Sequence, residues 1–263
     1  MLIAIIQNSE ITIYENMESV KIALAKGADI IILRGFEGRY NEIGELFGKI
    51  HSYTESLKKR DSRGLVKDSR GLVKDSQGLV NISPAFALEN IYSTNANTKL
   101  IINALPDERW LKFKPDGFHL NRHNVKIVLE KPELIDMLRN RVELLGTSVH
   151  NKEEMMRILL LNEKISVDYL LISPIFKPSY DQKGETLGID GFRVLYENLI
   201  EACNKANISR PRAISLGGIN KESVRELMRY NFIEGVAVMS AIGDLPDEVL
   251  ERWREPMYPW SNL

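Results

Sequence analysis

Short apolar runs alternate with helical stretches along the whole chain. Leu2–Gln7 and Asp29–Phe36 are brief and mostly apolar, the pattern of strands buried on both faces. Between them Met17, Val20 and Leu24 recur at helical spacing until Gly27 stops the run. Glu42–Lys58 predicts a second helix. The alternation resumes with a strand at Lys99–Ala104, a short helix at Pro106–Phe113, a strand at Gly117–Leu120 and a helix at Lys131–Asn140. Arg141–His150 predicts a strand. Lys152–Glu163 predicts a helix with Met155, Met156, Leu159 and Leu160 on one side, and Val167–Phe176 another strand. Gly191–Ala206 reads as a helix and Ala213–Leu216 as a strand running into Gly217-Gly218. Asn220 reads as the N-cap of a helix carrying Val224, Leu227 and Met228. Gly235–Ala241 is a strand, and a last helix falls around Asp247–Trp253.

Strands that alternate with crossover helices build a parallel sheet. Eight such units in 263 residues favour one (β/α)₈ TIM barrel, a single domain over 1–263. The alternative is a doubly wound open sheet. It lacks its glycine-rich turn, because Asn8-Ser9-Glu10 follows the first strand.

One stretch departs from the alternation. Asp61–Asn81 is a tandem heptad, DSRGLVK, DSRGLVK, DSQGLVN. A glycine in every unit and only Leu-Val as apolar content argue against a coiled coil. Three short copies also cannot build a solenoid core. The expectation is an exposed insertion without regular structure over 61–97. Its place between a helix and the next strand puts it on the barrel's N-terminal face, away from the face where active sites form. It reads as a tolerated loop, with a partner-binding loop as the other reading.

The charge balance, 35 Lys+Arg against 36 Asp+Glu, argues against a general nucleic-acid binder. No apolar run approaches the roughly 20 residues of a membrane span, and the N-terminus lacks the basic region and cleavage site of a signal peptide. Cys203 is the one cysteine. It excludes an intramolecular disulfide and a cysteine-based zinc site, and its spacing from Leu195 and Leu199 reads as a core thiol. The expectation is a cytoplasmic protein with no nucleic-acid or membrane partner. Assembly with copies of itself stays open.

In a barrel, side chains at the strands' C-terminal ends that point inward make the site. Period-two alternation puts Ile32 with Arg34, Ile101 with Asn103, Gly117 with His119 and Asn121, and Gly146 with Ser148 and His150. A guanidinium, amides and two imidazoles thus converge on one mouth. The last two strands end in Gly217-Gly218-Ile219-Asn220 and Ser240-Ala241-Ile242-Gly243. Backbone amides there make an anion site, the usual phosphate position in barrels. His119 and His123 have a metal-like spacing, but at a strand end it does not align the rings, so no metal ligand is assigned.

GTSVH at Gly146–His150, DYLLISPIF at Asp168–Phe176, AISLGGIN at Ala213–Asn220, VAVMSAI at Val236–Ile242 and DGFHLN at Asp116–Asn121 resemble the thiamine phosphate synthase/TenI family. Order and spacing agree outside 61–97. The resemblance implies a (β/α)₈ barrel that acts on a thiazole phosphate in vitamin B1 synthesis, with the phosphate on the backbone of Gly217, Gly218, Ile242 and Gly243. It implies two activities. Synthases join thiazole phosphate to an aminopyrimidine diphosphate with Mg²⁺ and release pyrophosphate. TenI-type tautomerases isomerise a thiazole carboxylate phosphate with a histidine acid/base.

The departures from the synthase pattern favour the tautomerase, with no cofactor; Mg²⁺ belongs only to the synthase alternative. Of the Gln-x-Arg-x-Lys that synthases carry on strand two, only Arg34 remains. Asn103-Ala104 stands for Asn-Asp, Asn124 for an Asp, and Lys177-Pro178-Ser179-Tyr180-Asp181 for a Thr-rich loop. Groups that hold a diphosphate and its Mg²⁺ are thereby lost, although Arg34, Arg122, Lys177 and Lys183 compensate in part. The resulting expectation makes His150 the acid/base, with Ser148 and His119 positioning it or the substrate. Arg34, Asn103 and Asn121 bind substrate, Arg34 by a bidentate contact to a carboxylate or phosphate unless it pairs with Glu37. A third reading is a non-catalytic regulatory protein that kept only the anion pocket.

Overall fold

The computed structural model describes residues 1–7, 13–36, 38–61, 66–67, 73–75, 78–79, 98–177, 185–246 and 251–253. Eight parallel strands close into a barrel: β1 (Leu2–Gln7), β2 (Ile30–Arg34), β6 (Lys99–Asn103), β7 (Gly117–Leu120), β8 (Leu144–Val149), β9 (Tyr169–Ile172), β10 (Arg212–Leu216) and β11 (Val236–Val238). Neighbours in sequence are neighbours in the barrel, and β11 closes onto β1. Helices α1 (Ile13–Ala25), α2 (Tyr40–Asp61), α3 (Glu108–Leu111), α4 (Arg122–Glu130), α5 (Pro132–Arg141), α6 (Lys152–Lys164), α7 (Gly188–Ala206) and α8 (Ser223–Leu227) connect them. Residues 251–253 are helical, and the rest of the helix expected around 247–253 lies outside the described residues.

Alternation along each strand divides the core in two. Met1, Ile3, Ile5, Ile30, Ile32 and Ile101, with residues of the later strands, fill the barrel interior. Leu2, Ala4, Ile6, Ile31, Leu33 and Ile102 turn outward and pack under the helices. Strands sandwiched between these two apolar layers must be apolar on both faces, which is why they read as runs of isoleucine.

Acidic residues just ahead of alternate strands brace the floor. Asp29, Asp116 and Asp168 accept hydrogen bonds from the backbone N–H of Leu2, Leu100 and Leu145, at 2.8, 2.7 and 2.7 Å, and Glu234 does the same for Ala213 at 2.7 Å. Each gives a partner to an amide in the first two residues of a strand.

Three expectations are corrected. α4 (Arg122–Glu130) stands between the fourth barrel strand and the expected helix at 131–140. Asn121 caps it, its side chain accepting from the N–H of His123 and Asn124, and the polar Arg122-His123-Asn124 start hides the Val125 and Val128 that anchor it. On α6, Met155 and Leu159 are buried, whereas Met156 and Leu160 are 53% and 51% exposed. A 100° turn per residue carries each neighbour off the buried stripe. Within the heptads, β3 (Val66–Lys67), β4 (Val73–Asp75) and β5 (Gly78–Leu79) pair antiparallel into a small sheet. The expectation of no regular structure fails at these positions, each of which takes in a residue of the Leu-Val pair that its unit carries. The remainder of 61–97, Asp61 apart, lies outside the described residues.

Candidate functional site

The C-terminal ends of the strands open into a cavity of about 1320 Å³. Arg34, Asn103, His119, Asn121, Ser148 and His150 all line it, as do Gly217 and Gly218. The alternation read from the sequence therefore brought the expected residues to one mouth. Ile242 and Gly243 do not line it. Ser240 and Ala241 hold that rim, because Ile242 begins a 3₁₀ turn (Ile242–Asp244) and buries its side chain in the core.

The two histidines have opposite surroundings. His119 is 1% exposed. Its Nε2 lies 2.8 Å from Ser148 Oγ and its Nδ1 3.3 Å from the Tyr169 hydroxyl. Burial, and then the Arg34 charge, push its pKa down to about 3, so it is neutral near neutral pH. His150 sits at the rim with its side chain 41% exposed. Its Nδ1 is 2.7 Å from Glu154 Oε2, and the same carboxylate oxygen accepts its backbone N–H at 2.9 Å.

Glu154 is itself buried, lies on the first turn of α6, and has Arg122 Nη1 at 4.0 Å. Asn151 caps that helix by accepting the Glu154 N–H. The cap fixes the first turn, the turn places Glu154 one helical step above His150, and the carboxylate orients the ring. Such a carboxylate holds a proton on Nδ1 and leaves Nε2 as the basic nitrogen.

The glycine end is built by backbone conformation. Gly217 and Gly218 have φ of +100° and +63°. A Cβ on Gly217 would stand 2.8 Å from Pro174 Cα, and one on Gly218 2.6 Å from the Phe176 carbonyl carbon. Only glycine meets both demands. Asn220 follows, its side chain accepting from the N–H of Glu222 and Ser223 in the turn before α8; the helix starts later than expected, at Ser223, with Glu222 rather than Asn220 at its N-cap.

Two partners escaped the sequence reading. Glu154 carries the weak signal of a His-x-x-x-Glu spacing across a strand-to-helix turn. Tyr169 carries none of its own, although Gly146 opposite it marks a large neighbour. Asn121 lines the cavity while its side chain serves as the α4 cap. Lys177 and Arg122 line the cavity as well. Glu37, the alternative partner of Arg34, lies outside the described residues, as does Lys183.

The sequence profile of the family described as thiamine monophosphate synthase matches residues 85–242. It starts within the stretch expected to be an insertion and takes in every cavity-lining residue from Asn103 to Ala241. Among curated proteins, the thiamine-phosphate synthase of Pyrococcus furiosus is 27% identical over 130 residues, 48% of this chain and 51% of its own length. That of Methanococcus vannielii is 30% identical over 132 residues, 49% of this chain and 52% of its own. That of Caldanaerobacter subterraneus subsp. tengcongensis is 23% identical over 161 residues, 60% of this chain and 66% of its own. The chain spans about half the length of the first two relatives.

Proposed function

The chain belongs to the thiamine monophosphate synthase family, and from that membership we propose that it binds a thiazole phosphate in the barrel mouth and moves a proton on the ring, as a thiazole tautomerase. The observation that carries this reading is the His150–Glu154 pair at the cavity rim. With Nδ1–H donating to Glu154, His150 Nε2 takes a proton from one atom of the substrate. The imidazolium so formed is stabilised by the carboxylate and returns the proton to another atom, so the reaction is a net isomerisation. The phosphate belongs on the backbone amides around Gly217 and Gly218, the usual anion position of barrels. Arg34 supplies a bidentate donor for a carboxylate.

Condensation with an aminopyrimidine diphosphate is the second reading, and the names of the three relatives favour it. That chemistry uses Mg²⁺, which prefers carboxylate oxygens together with substrate phosphates. Asn103 lines the mouth as an amide, Asn124 is a buried amide, and no group of three His, Cys, Asp or Glu gathers among the described residues. The carboxylates that line the cavity are those of Glu185 and Asp244, outside the positions where the synthase pattern places its Asp residues, and no step is derived through the metal.

Turnover of a thiazole carboxylate phosphate to its aromatic tautomer, followed by NMR, tests the first reading. His150→Ala is expected to slow it by about 10²–10⁴-fold while thiazole phosphate binds as before. Mg²⁺-dependent formation of thiamine phosphate at enzyme-like rates would decide for the second. Unaltered thiazole phosphate binding with neither turnover would leave a binding protein.

A further inference from the structure

Tyr169, His119 and Ser148 form a chain of hydrogen bonds from the barrel interior to the cavity, and its closed end dictates its direction. Strand register puts His119 opposite Gly146, and Gly146 opposite Tyr169. Glycine leaves room for the two flanking rings, which stack with centroids 5.7 Å apart and planes 22° apart. Ser148 stands two residues above Gly146 on the same face, half-buried and lining the cavity.

Tyr169 is wholly buried, and among the described residues the one partner of its hydroxyl is His119 Nδ1. Burial also raises its pKa well above the usual value, so the phenol keeps its proton. A buried O–H without an acceptor costs on the order of 1–3 kcal/mol. The phenol proton is therefore donated to Nδ1. A neutral imidazole carries one N–H and one bare nitrogen. With Nδ1 accepting, the ring proton sits on Nε2 and is donated to Ser148 Oγ. The opposite order, Nδ1–H toward Tyr169, strands the phenol proton.

Ser148 Oγ, having accepted, turns its own O–H away from the imidazole. We propose that Tyr169, acting through His119, fixes Ser148 as a donor into the cavity, so that the ligand atom it meets must be an unprotonated acceptor such as a bare ring nitrogen or a carboxylate oxygen. The proposal deepens the thiazole phosphate reading and rests on the cavity being the ligand site. Of two tautomers that differ in a hydrogen at the atom facing Ser148, the site accepts the bare one. Tyr169 is a positioning residue here, since it touches only His119 in this chain of contacts.

The full chain labelled with ¹⁵N-histidine tests the direction without any substitution. One of the four imidazoles is expected to stay neutral with its proton on Nε2 from about pH 5 to about pH 8, and to be the signal lost in His119→Gln. A proton on Nδ1, or a charged ring at neutral pH, overturns the proposal. Affinity for thiazole phosphate, with inorganic phosphate as control, tests the consequence. Ser148→Ala and Tyr169→Phe are each expected to weaken thiazole phosphate about tenfold, the loss of one hydrogen bond, and to leave inorganic phosphate unchanged. Equal affinity of the wild type and Ser148→Ala for thiazole phosphate overturns the donor role. Should the wild type bind no thiazole phosphate while the ring carries its proton on Nε2, the functional reading fails and the relay stands.

Discussion

A methyl group added at Gly146 would stand 2.0 Å from Cζ of Tyr169. Real contacts at such a distance do not exist, so Gly146→Ala must push the tyrosine or the strand aside. The expected cost is about 1–3 kcal/mol of overpacking, read as a fall in the urea midpoint. Replacing Tyr169 with Leu in the same chain should recover part of it, because the two changes share one contact. An unchanged midpoint in Gly146→Ala would mean that the ring does not fill that space. This pair also shows what a single residue discloses. The side chains at the strand ends were legible because a two-residue period fixes which of them share a face. Their partners were not, since whether Glu154 meets His150, or Tyr169 meets His119, depends on how one element sits beside the next. Gly243 failed for a related reason: a three-residue turn swings its backbone from the mouth, and nothing in Ser-Ala-Ile-Gly announces that turn.

At the scale of elements, the strands were the legible part. Each is buried by apolar layers on both sides and so carries a continuous hydrophobic signal, whereas α4 begins with three polar residues and hides its two valines. The acidic braces beneath the strands are visible only once strand register is known, and Asp168 tests them. Burial pushes its pKa up to about 6, against the pull of the Leu145 N–H that favours the ionised form. The folded state thus holds a proton that the unfolded chain, near the usual carboxylate range, has released. Stability contributed by this group is present below about pH 4 and falls as pH rises toward about 6. Asp168→Asn keeps an acceptor for the Leu145 amide and removes the buried charge. Urea midpoints are expected to lose this pH slope in the variant, which at about pH 7.5 should be as stable as the wild type or more so, by on the order of 2 kcal/mol. A variant that is less stable there would mean that the ionised carboxylate's bond to Leu145 outweighs its desolvation.

For the whole molecule, the direction of the barrel separates the cavity from the repeats. Every strand delivers its C-terminal end to the cavity, and the heptads enter after α2 and leave into β6, whose first residue lies at the opposite end. The family match begins at residue 85, after the last heptad. Among the described residues, neither barrel closure nor the cavity draws on the repeats: β2 pairs directly with β6, and no described lining residue falls between Gly35 and Asn103. Removing residues 62–81 and joining the ends with a short Gly/Ser linker should therefore leave the thermal midpoint within a few degrees and thiazole phosphate affinity within about twofold, because loop-closure entropy changes only slowly with loop length. A loss of binding with the midpoint intact would tie the repeats to the mouth across the full depth of the barrel. A collapse of the midpoint would make the small β3–β5 sheet part of the fold's support, overturning its reading as an appended segment.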